Sequence, residues 1–342
     1  MKFDFIIGNP PYQDENIGDQ KYYTPPVYNL YMDESFKCAD KVILVHPARF
    51  LFNAGSTPKN WNKKMLFDPH FKVISYYSNS SDLFPDTDIK GGVAISYYDN
   101  SKNFSPIEVF TKYQSLNTIL HKIRCKSDPL TRIIVTSYAY HFTQLFHKDF
   151  PEAKSLLSSG HENDLKSNVF QKLGAIFHDS TPNDGHSYLK IIGRLGNDRV
   201  EKYIRRDYIN KVINLDKYKV FLAGANGAGE FGETLSQPII SRPGEGATET
   251  FLSVGSFNTI FEAKAAEKYI KSKFARALLG ILKTTQALTP QKFDYVPLQD
   301  FTSKSDIDWS KSIAEIDRQL YAKYGLTREE IDFIESHVKE ME

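Results

Sequence analysis

Cysteine is nearly absent from this 342-residue chain: Cys38 and Cys125 are the only two, with no Cys-x-x-Cys or Cys/His spacing around them. That usage argues against a structural zinc and reads as a reduced, cytoplasmic protein. Long apolar runs are lacking too. None approaches the roughly 20 residues of a membrane helix, and no basic segment followed by an apolar stretch opens the chain, so neither a membrane span nor a secretory signal is expected. An excess of one charge sign is also missing, since 43 Lys and Arg stand against 42 Asp and Glu. No global basic field advertises a nucleic-acid partner, and any surface for a polyanion must be a local patch. Internal repeats and low-complexity segments are absent. What remains is an ordinary globular composition, 41% hydrophobic and 25% charged, long enough for two buried cores. Its 24 Phe and 20 Tyr serve core packing and stacking surfaces alike.

The first hundred residues alternate apolar runs with helical segments, which argues for an α/β sheet. Residues 3–8 form a short apolar run ended by Gly8-Asn9-Pro10-Pro11, as expected of a buried parallel strand stopping at a turn. After a polar, Tyr-rich loop over 13–24, Pro25-Pro26 opens a helix whose apolar side is expected to carry Val27, Leu30, Tyr31 and Phe36. Further strands are expected over 41–46, 71–77 and 92–98, with a short helix around 63–67. Beyond about residue 105 the rhythm changes. A helix over 116–124 leads into a strand-rich connector over 129–140, then a polar, loop-rich stretch over 150–186. Alternating Ile, Leu and Tyr with Arg and Lys follow over 188–218, and a glycine-rich stretch over 224–232. Residues 261–283 read as one amphipathic helix. The tail reads as a helical hairpin, broken at Gly325 and restarted by a capping box from Thr327 to Glu330. The division drawn is 1–110 and 111–342.

The residues that carry chemistry are Asn9-Pro10-Pro11-Tyr12. An exocyclic amino nitrogen on a heteroaromatic ring is a poor nucleophile, because its lone pair is delocalised. An Asn side-chain oxygen and the carbonyl of the following Pro together accept both amino hydrogens and hold the nitrogen for in-line attack on a methyl donor. Two prolines stiffen the loop that aims the carbonyl. A Tyr offers a face for a base drawn out of its stack. Such a site works by positioning and electrostatics and calls for no metal.

In its order and context this segment resembles motif IV of the N6-adenine DNA methyltransferases of restriction-modification systems, those of the TaqI type and the methylase halves of fused restriction enzymes. Residues 26–36, 42–50, 83–98, 227–231, 248–255 and 295–309 resemble later parts of the same group, although only the tetrapeptide is highly specific. The resemblance implies a partial Rossmann-like methyltransferase sheet followed by an α+β target-recognition domain that ends in the helical hairpin. It implies that Asn9 and Pro10 hold the amino group and that Tyr12 stacks on the base. Phe84 is the candidate for the base's other face, with a core Phe before the turn at Pro85 as the equal alternative. Asp88 and Lys90 flank that loop and read as ordinary solvent-facing charges, with contact to the DNA strand as the alternative. The implied methyl donor is S-adenosylmethionine and the implied partner is double-stranded DNA.

Methylases of this order place the cofactor-binding half, with its glycine-rich loop, before the motif. Eight residues cannot contain it. Residues 220–229 offer a glycine-rich run after an apolar stretch, but Glu230-Phe231-Gly232 does not continue as a helix. The cofactor-binding residues are therefore unassigned, and a second subunit or an upstream domain is expected to supply them. In the second part, basic and aromatic residues interleave, and Arg194, Arg199, Lys202, Arg205, Arg206, Lys271, Lys273 and Arg276 are the candidate DNA contacts. Two other readings stay open. One is a non-catalytic DNA-binding specificity subunit with a vestigial loop. The other is a methyltransferase acting on RNA or on a protein amide.

Overall fold

A computed structural model describes residues 3–14, 25–124 and 128–341. Most of the Tyr-rich loop and Cys125 lie outside them. The class is α/β with several sheets, and the chain divides into two compact units, Met1–His121 and Lys122–Glu342.

Unit 1 is built on a four-stranded sheet. Its elements are β1 (Phe3–Gly8), α1 (Tyr28–Cys38), β2 (Ala39–Pro47), α2 (Lys59–Phe67), β3 (Phe71–Tyr77) and β4 (Val93–Asp99), with α3 (Gln114–Arg124) crossing into unit 2. The strand order is β1-β2-β4-β3. β1 runs parallel to β2, and β4 is antiparallel to both of its neighbours. Pleating assigns the faces. Ile6, Val42, Leu44 and Ala94 turn towards Tyr28 and Met32 of α1 and towards Trp61 and Met65 of α2. Phe50 and Phe71 complete that core, and Phe36 stacks on Tyr98 at 4.2 Å between ring centroids.

Two expectations for this unit need correction. β1 is parallel, but it is an edge strand and not a buried one. Phe3, Phe5 and Ile7 point to the face away from α1 and are 49%, 62% and 75% exposed. The apolar run was read as burial on both faces, whereas the neighbour that would bury it is absent from the described residues. In α1 the buried stripe is Tyr28, Asn29 and Met32, while Leu30 and Tyr31 face outwards. Residues 28, 32 and 29 fall within about 100° of the helix circumference, which leaves 30 and 31 outside that stripe.

Unit 2 contains β5 (Ile134–Val135), three short helices α4 (Gln144–Asp149), α5 (Ala153–Leu156) and α6 (Val169–Lys172), and then β6 (Tyr188–Leu195) and β7 (Asp198–Arg205). β8 (Tyr218–Ala223), β9 (Ile239–Ser241), β10 (Glu245–Ala247) and β11 (Phe251–Phe257) follow. Last come α7 (Ile260–Lys271), α8 (Lys273–Leu282), α9 (Ile313–Tyr324) and α10 (Arg328–His337). Two sheets form, in the orders β10-β6-β7 and β5-β11-β8-β9. The connector over 129–140 holds only the two strand residues of β5, the rest being a 3-10 turn and loop.

The expected single helix over 261–283 is two helices broken at Ser272, whose ψ of 148° is extended. The break is built from polar contacts that the apolar periodicity does not register. The Ser272 hydroxyl donates to the Tyr269 carbonyl (2.7 Å) and accepts from Ala275 N (3.1 Å). The Asp317 carboxylate on α9 accepts from the Lys273 and Phe274 amides at 3.0 and 2.9 Å. Those orphan donors of a helix start are thereby satisfied. The tail is the expected hairpin, with capping boxes at Ser312/Glu315 and at Thr327/Glu330. Among the described residues no helix is long and apolar enough to cross a membrane.

Candidate active site

The Asn9–Tyr12 segment leaves the carboxyl end of β1 and is clasped to the start of α1. Val27 N donates to the Tyr12 carbonyl at 3.3 Å, Asp14 N donates to Pro25 O at 3.1 Å, and Gln13 pairs with Pro26 in an isolated antiparallel bridge. Pro25 and Pro26 thus serve as the far strand of a small clasp rather than as the opening turn of the helix. Asn9 is exposed, while Pro10 and Tyr12 are half-buried. The Tyr12 hydroxyl is buried without a hydrogen-bond partner among the described residues. Burial raises its pKa, and the Asn9 side chain lies close enough to oppose that shift without completing a normal hydrogen bond.

Beside Tyr12 opens a cavity of about 350 Å³. Its walls include Tyr12, Tyr28, Arg49, Asp88, Ile89 and Lys90. That volume is within the range of small-ligand clefts. The Tyr28 hydroxyl is pushed up to about 12 by burial, with Thr57 and the Arg49 charge pulling the other way. Its ring lies parallel to His46, with centroids 6.3 Å apart, and meets Trp61 edge-on. His46 anchors this wall. Its Nδ1 faces the Pro47 carbonyl at 3.1 Å, which can only accept, so Nδ1 carries the proton and Nε2 accepts from the Ser96 hydroxyl at 2.9 Å. Complete burial lowers the His46 pKa to about 4 and keeps the ring neutral.

Arg49 reaches the cavity along a path held open by glycine. A Cβ on Gly91 would sit 2.4 Å from Arg49 Cγ, and Gly91 has a φ of +88°, so both the close approach and the backbone conformation require glycine there. Arg49 is exposed and has no carboxylate partner among the described residues, and it shares the cavity wall with Lys90 and Asp88.

The sequence placed Asn9, Pro10 and Tyr12 together, and the structure keeps them so. It does not put Phe84 at the cavity: that ring is half-buried in a turn, where the Phe84 carbonyl accepts from the Thr87 hydroxyl at 2.7 Å, and Ile89 of the same loop lines the wall instead. Asp88 and Lys90, read as bystanders, stand at the cavity. Tyr28 was not singled out at all; an aromatic in the first turn after a clasping Pro-Pro was the available signal.

The glycine-rich loop after β8 is filled from within. The Glu233 carboxylate accepts from the Ala228 and Gly229 amides at 2.8 and 3.0 Å and pairs with the nearly buried Lys283. A Cβ on Gly227 would collide with that carboxylate. Glu233 accounts for Gly227, while Gly229 and Gly232 are held against the backbone of Thr284-Thr285 and of His337, so the loop is packed from within and does not fit a cofactor cradle. Among the described residues the carrier of a methyl donor is therefore not found.

Of the eight candidate DNA contacts, six are engaged by the protein itself. Lys202 pairs with Asp179, Arg206 with Asp216, Lys271 with Glu267 and Lys273 with Glu335. Arg205 holds Asp207 by two bonds and lies 4.4 Å over the Tyr208 ring. Arg276 is only 2% exposed, and its guanidinium donates to the Lys271, Glu233 and Lys339 carbonyls; it belongs to the interior and not to a DNA surface. Burial lowers its pKa. Only Arg194 and Arg199 are exposed without a carboxylate partner among the described residues.

Residues 1–84 match the model of the Eco57I restriction-modification methylase family. Over 103 residues, 30% of this chain, it is 30% identical to an uncharacterized adenine-specific methylase of Mycoplasma pneumoniae. The chain spans about a quarter of that relative's length, 24%. Among solved structures, the type IIG restriction endonuclease BpuSI aligns over 92% of this chain and 48% of its own, at 9% identity and a TM-score of 0.32.

Proposed function

We propose that this chain carries the target-base half of a DNA methyltransferase of a restriction-modification system, acting on the exocyclic amino group of adenine with S-adenosylmethionine as donor. The observation that carries the reading is the position of Asn9-Pro10-Pro11-Tyr12, at the carboxyl end of a strand and beside a cavity lined by Tyr12 and Tyr28. The family match over 1–84 and the adenine-specific relative support it. In this reading an adenine leaves its duplex and stacks on Tyr12, within the aromatic wall. The Asn9 side-chain oxygen and the Pro10 carbonyl accept its amino hydrogens, and Arg49 takes the flanking phosphate. His46 does no proton transfer; neutral and fully buried, it fixes the Tyr28 ring.

In this reading the methyl donor is held by a site outside the described residues. The outer edge of β1, which pairs with no strand among the described residues, and the bare sheet face carrying Phe3, Phe5 and Ile7 support a segment that docks there and brings the cofactor next to Asn9. Ligands of open α/β sheets sit at the carboxyl ends of adjacent strands, which is where such a segment would place it. Unit 2 is the target-recognition part in this proposal. The occupied glycine loop also favours a second reading, a specificity subunit with a vestigial Asn9–Tyr12 loop.

The test is genomic. In the host strain, Asn9→Ala is expected to erase N6-methyladenine from one sequence motif while leaving the protein's abundance unchanged. Methylation that persists in the variant refutes the assignment. Calorimetric titration with S-adenosylmethionine, with duplex DNA present, is expected to give no heat for this chain alone.

A further inference from the structure

The β6–β7 hairpin of unit 2 ends in six consecutive exposed residues, Arg194 to Arg199, with the turn at Gly196-Asn197. Arg194 and Arg199 face each other directly in the antiparallel register. Like charges in that position destabilise a hairpin, and here no carboxylate among the described residues relieves them. Arg194 reaches only the Asn197 side chain, at a long 3.4 Å. The Arg199 guanidinium carbon lies over the Phe251 ring, 5.2 Å from its centroid. The two guanidiniums border an open cleft of about 810 Å³ whose walls also carry Tyr138, 55% exposed, and Gly224. Elsewhere in this unit the basic residues considered above are each matched by a carboxylate or by backbone carbonyls, which makes this pair stand apart.

From this juxtaposition we infer that the β6–β7 hairpin is a base-reading ribbon for duplex DNA, with Arg194 and Arg199 each taking a guanine edge in the major groove. The inference rests on the DNA reading above and goes beyond it by naming the reader and the base. A two-stranded ribbon fits the major groove, and a guanidinium fork matches the N7 and O6 acceptors of guanine. The contact of Arg199 with Phe251 restrains that side chain, and a restrained fork suits bidentate readout more than a simple phosphate contact. Residues opposed across an antiparallel pair stand about 5 Å apart, close to the roughly 3.4 Å step between base pairs. The recognised sequence is therefore expected to hold two G·C pairs that are adjacent or one step apart. Asn197 at the turn offers an amide suited to a neighbouring adenine.

The experiment is selection of a random duplex library on the full chain, repeated with Arg194→Ala, Arg199→Ala, Arg199→Lys and, as a control, Lys273→Ala. Wild type is expected to enrich a motif containing the two guanines. Each Ala variant is expected to lose preference at one guanine, by on the order of 10- to 100-fold, with the rest of the motif intact. Arg199→Lys, which keeps the charge and loses the fork, is expected to lose it as well, and Lys273→Ala to match wild type. Uniform weakening over all sequences with a shallower salt dependence would make the pair phosphate contacts and overturn the inference. An unchanged motif in all four variants would overturn it too. If wild type enriches nothing, or prefers single-stranded RNA, the DNA reading itself falls and the inference with it.

Discussion

Acid is expected to loosen unit 1 through a single residue. His46 is fully buried, its pKa lowered from 6.5 to about 4 by loss of water. A histidine held neutral in the fold contributes stability only while the unfolded chain is neutral too. As pH falls below about 6.5 the unfolded state takes up a proton that the folded state refuses until about 4, so stability declines across that window. The full shift corresponds to about 3 kcal/mol, at 1.36 kcal/mol per unit, and roughly 2 kcal/mol of it is lost between pH 7 and pH 5. That is a large fraction of a domain's stability. The chain holds two tryptophans, Trp61 in unit 1 and Trp309 in unit 2, both buried, so each unit carries its own fluorophore. Urea unfolding of Trp309→Phe, read by Trp61 fluorescence, is expected to show its midpoint falling by about 1 M from pH 7 to pH 5 for an m-value near 2 kcal/mol/M. Adding His46→Gln should flatten the response whatever it does to stability itself. A midpoint that stays put, or that falls equally in the His46→Gln background, refutes the assignment of the effect to this ring.

Unit 2 is expected to respond with the opposite sign: burial raises the Asp317 carboxyl from 3.8 to about 6, so its folded form binds a proton first and gains about 1 kcal/mol on going from pH 7 to pH 5, read by Trp309 in a Trp61→Phe background and abolished by Asp317→Asn. Tyr12→Ala is expected to weaken capture of an extruded base by roughly 1–3 kcal/mol, the scale of one aromatic–base stack, in a fluorescence assay with 2-aminopurine at the target position. Phe84→Ala, away from the cavity wall, should cost less in the same assay; an equal loss would restore Phe84 as the base's second face. Ile7→Asp, at a site 75% exposed, should change the unfolding free energy of unit 1 by no more than about 0.5 kcal/mol while abolishing methylation in the host. Retained methylation would remove the β1 edge from any docking role.

Local chemistry was legible in the sequence, and pairing was not. The tetrapeptide Asn9-Pro10-Pro11-Tyr12 ends a strand because prolines cannot extend a ladder, and that followed from residue type alone. So did the bounds of β3 and the Thr327/Glu330 capping box, both governed by contacts a few residues apart. Tertiary structure decided the rest. The same apolar pattern in Phe3–Gly8 fits a buried strand or an edge awaiting a neighbour, because hydrophobicity records that a face must be covered without saying by what. The basic residues looked alike in sequence, since a charge is visible there while the carboxylate that neutralises it is chosen by the fold, as Glu335 on α10 is brought to Lys273 on α8. The glycine-rich run cradles Glu233, the residue just beyond it in the chain, because the loop folds back on that carboxylate. The sequence marked the Asn9–Tyr12 segment, and the fold determined that Tyr28 and Arg49 line the cavity beside it and that Arg194 and Arg199 are exposed without a carboxylate partner among the described residues.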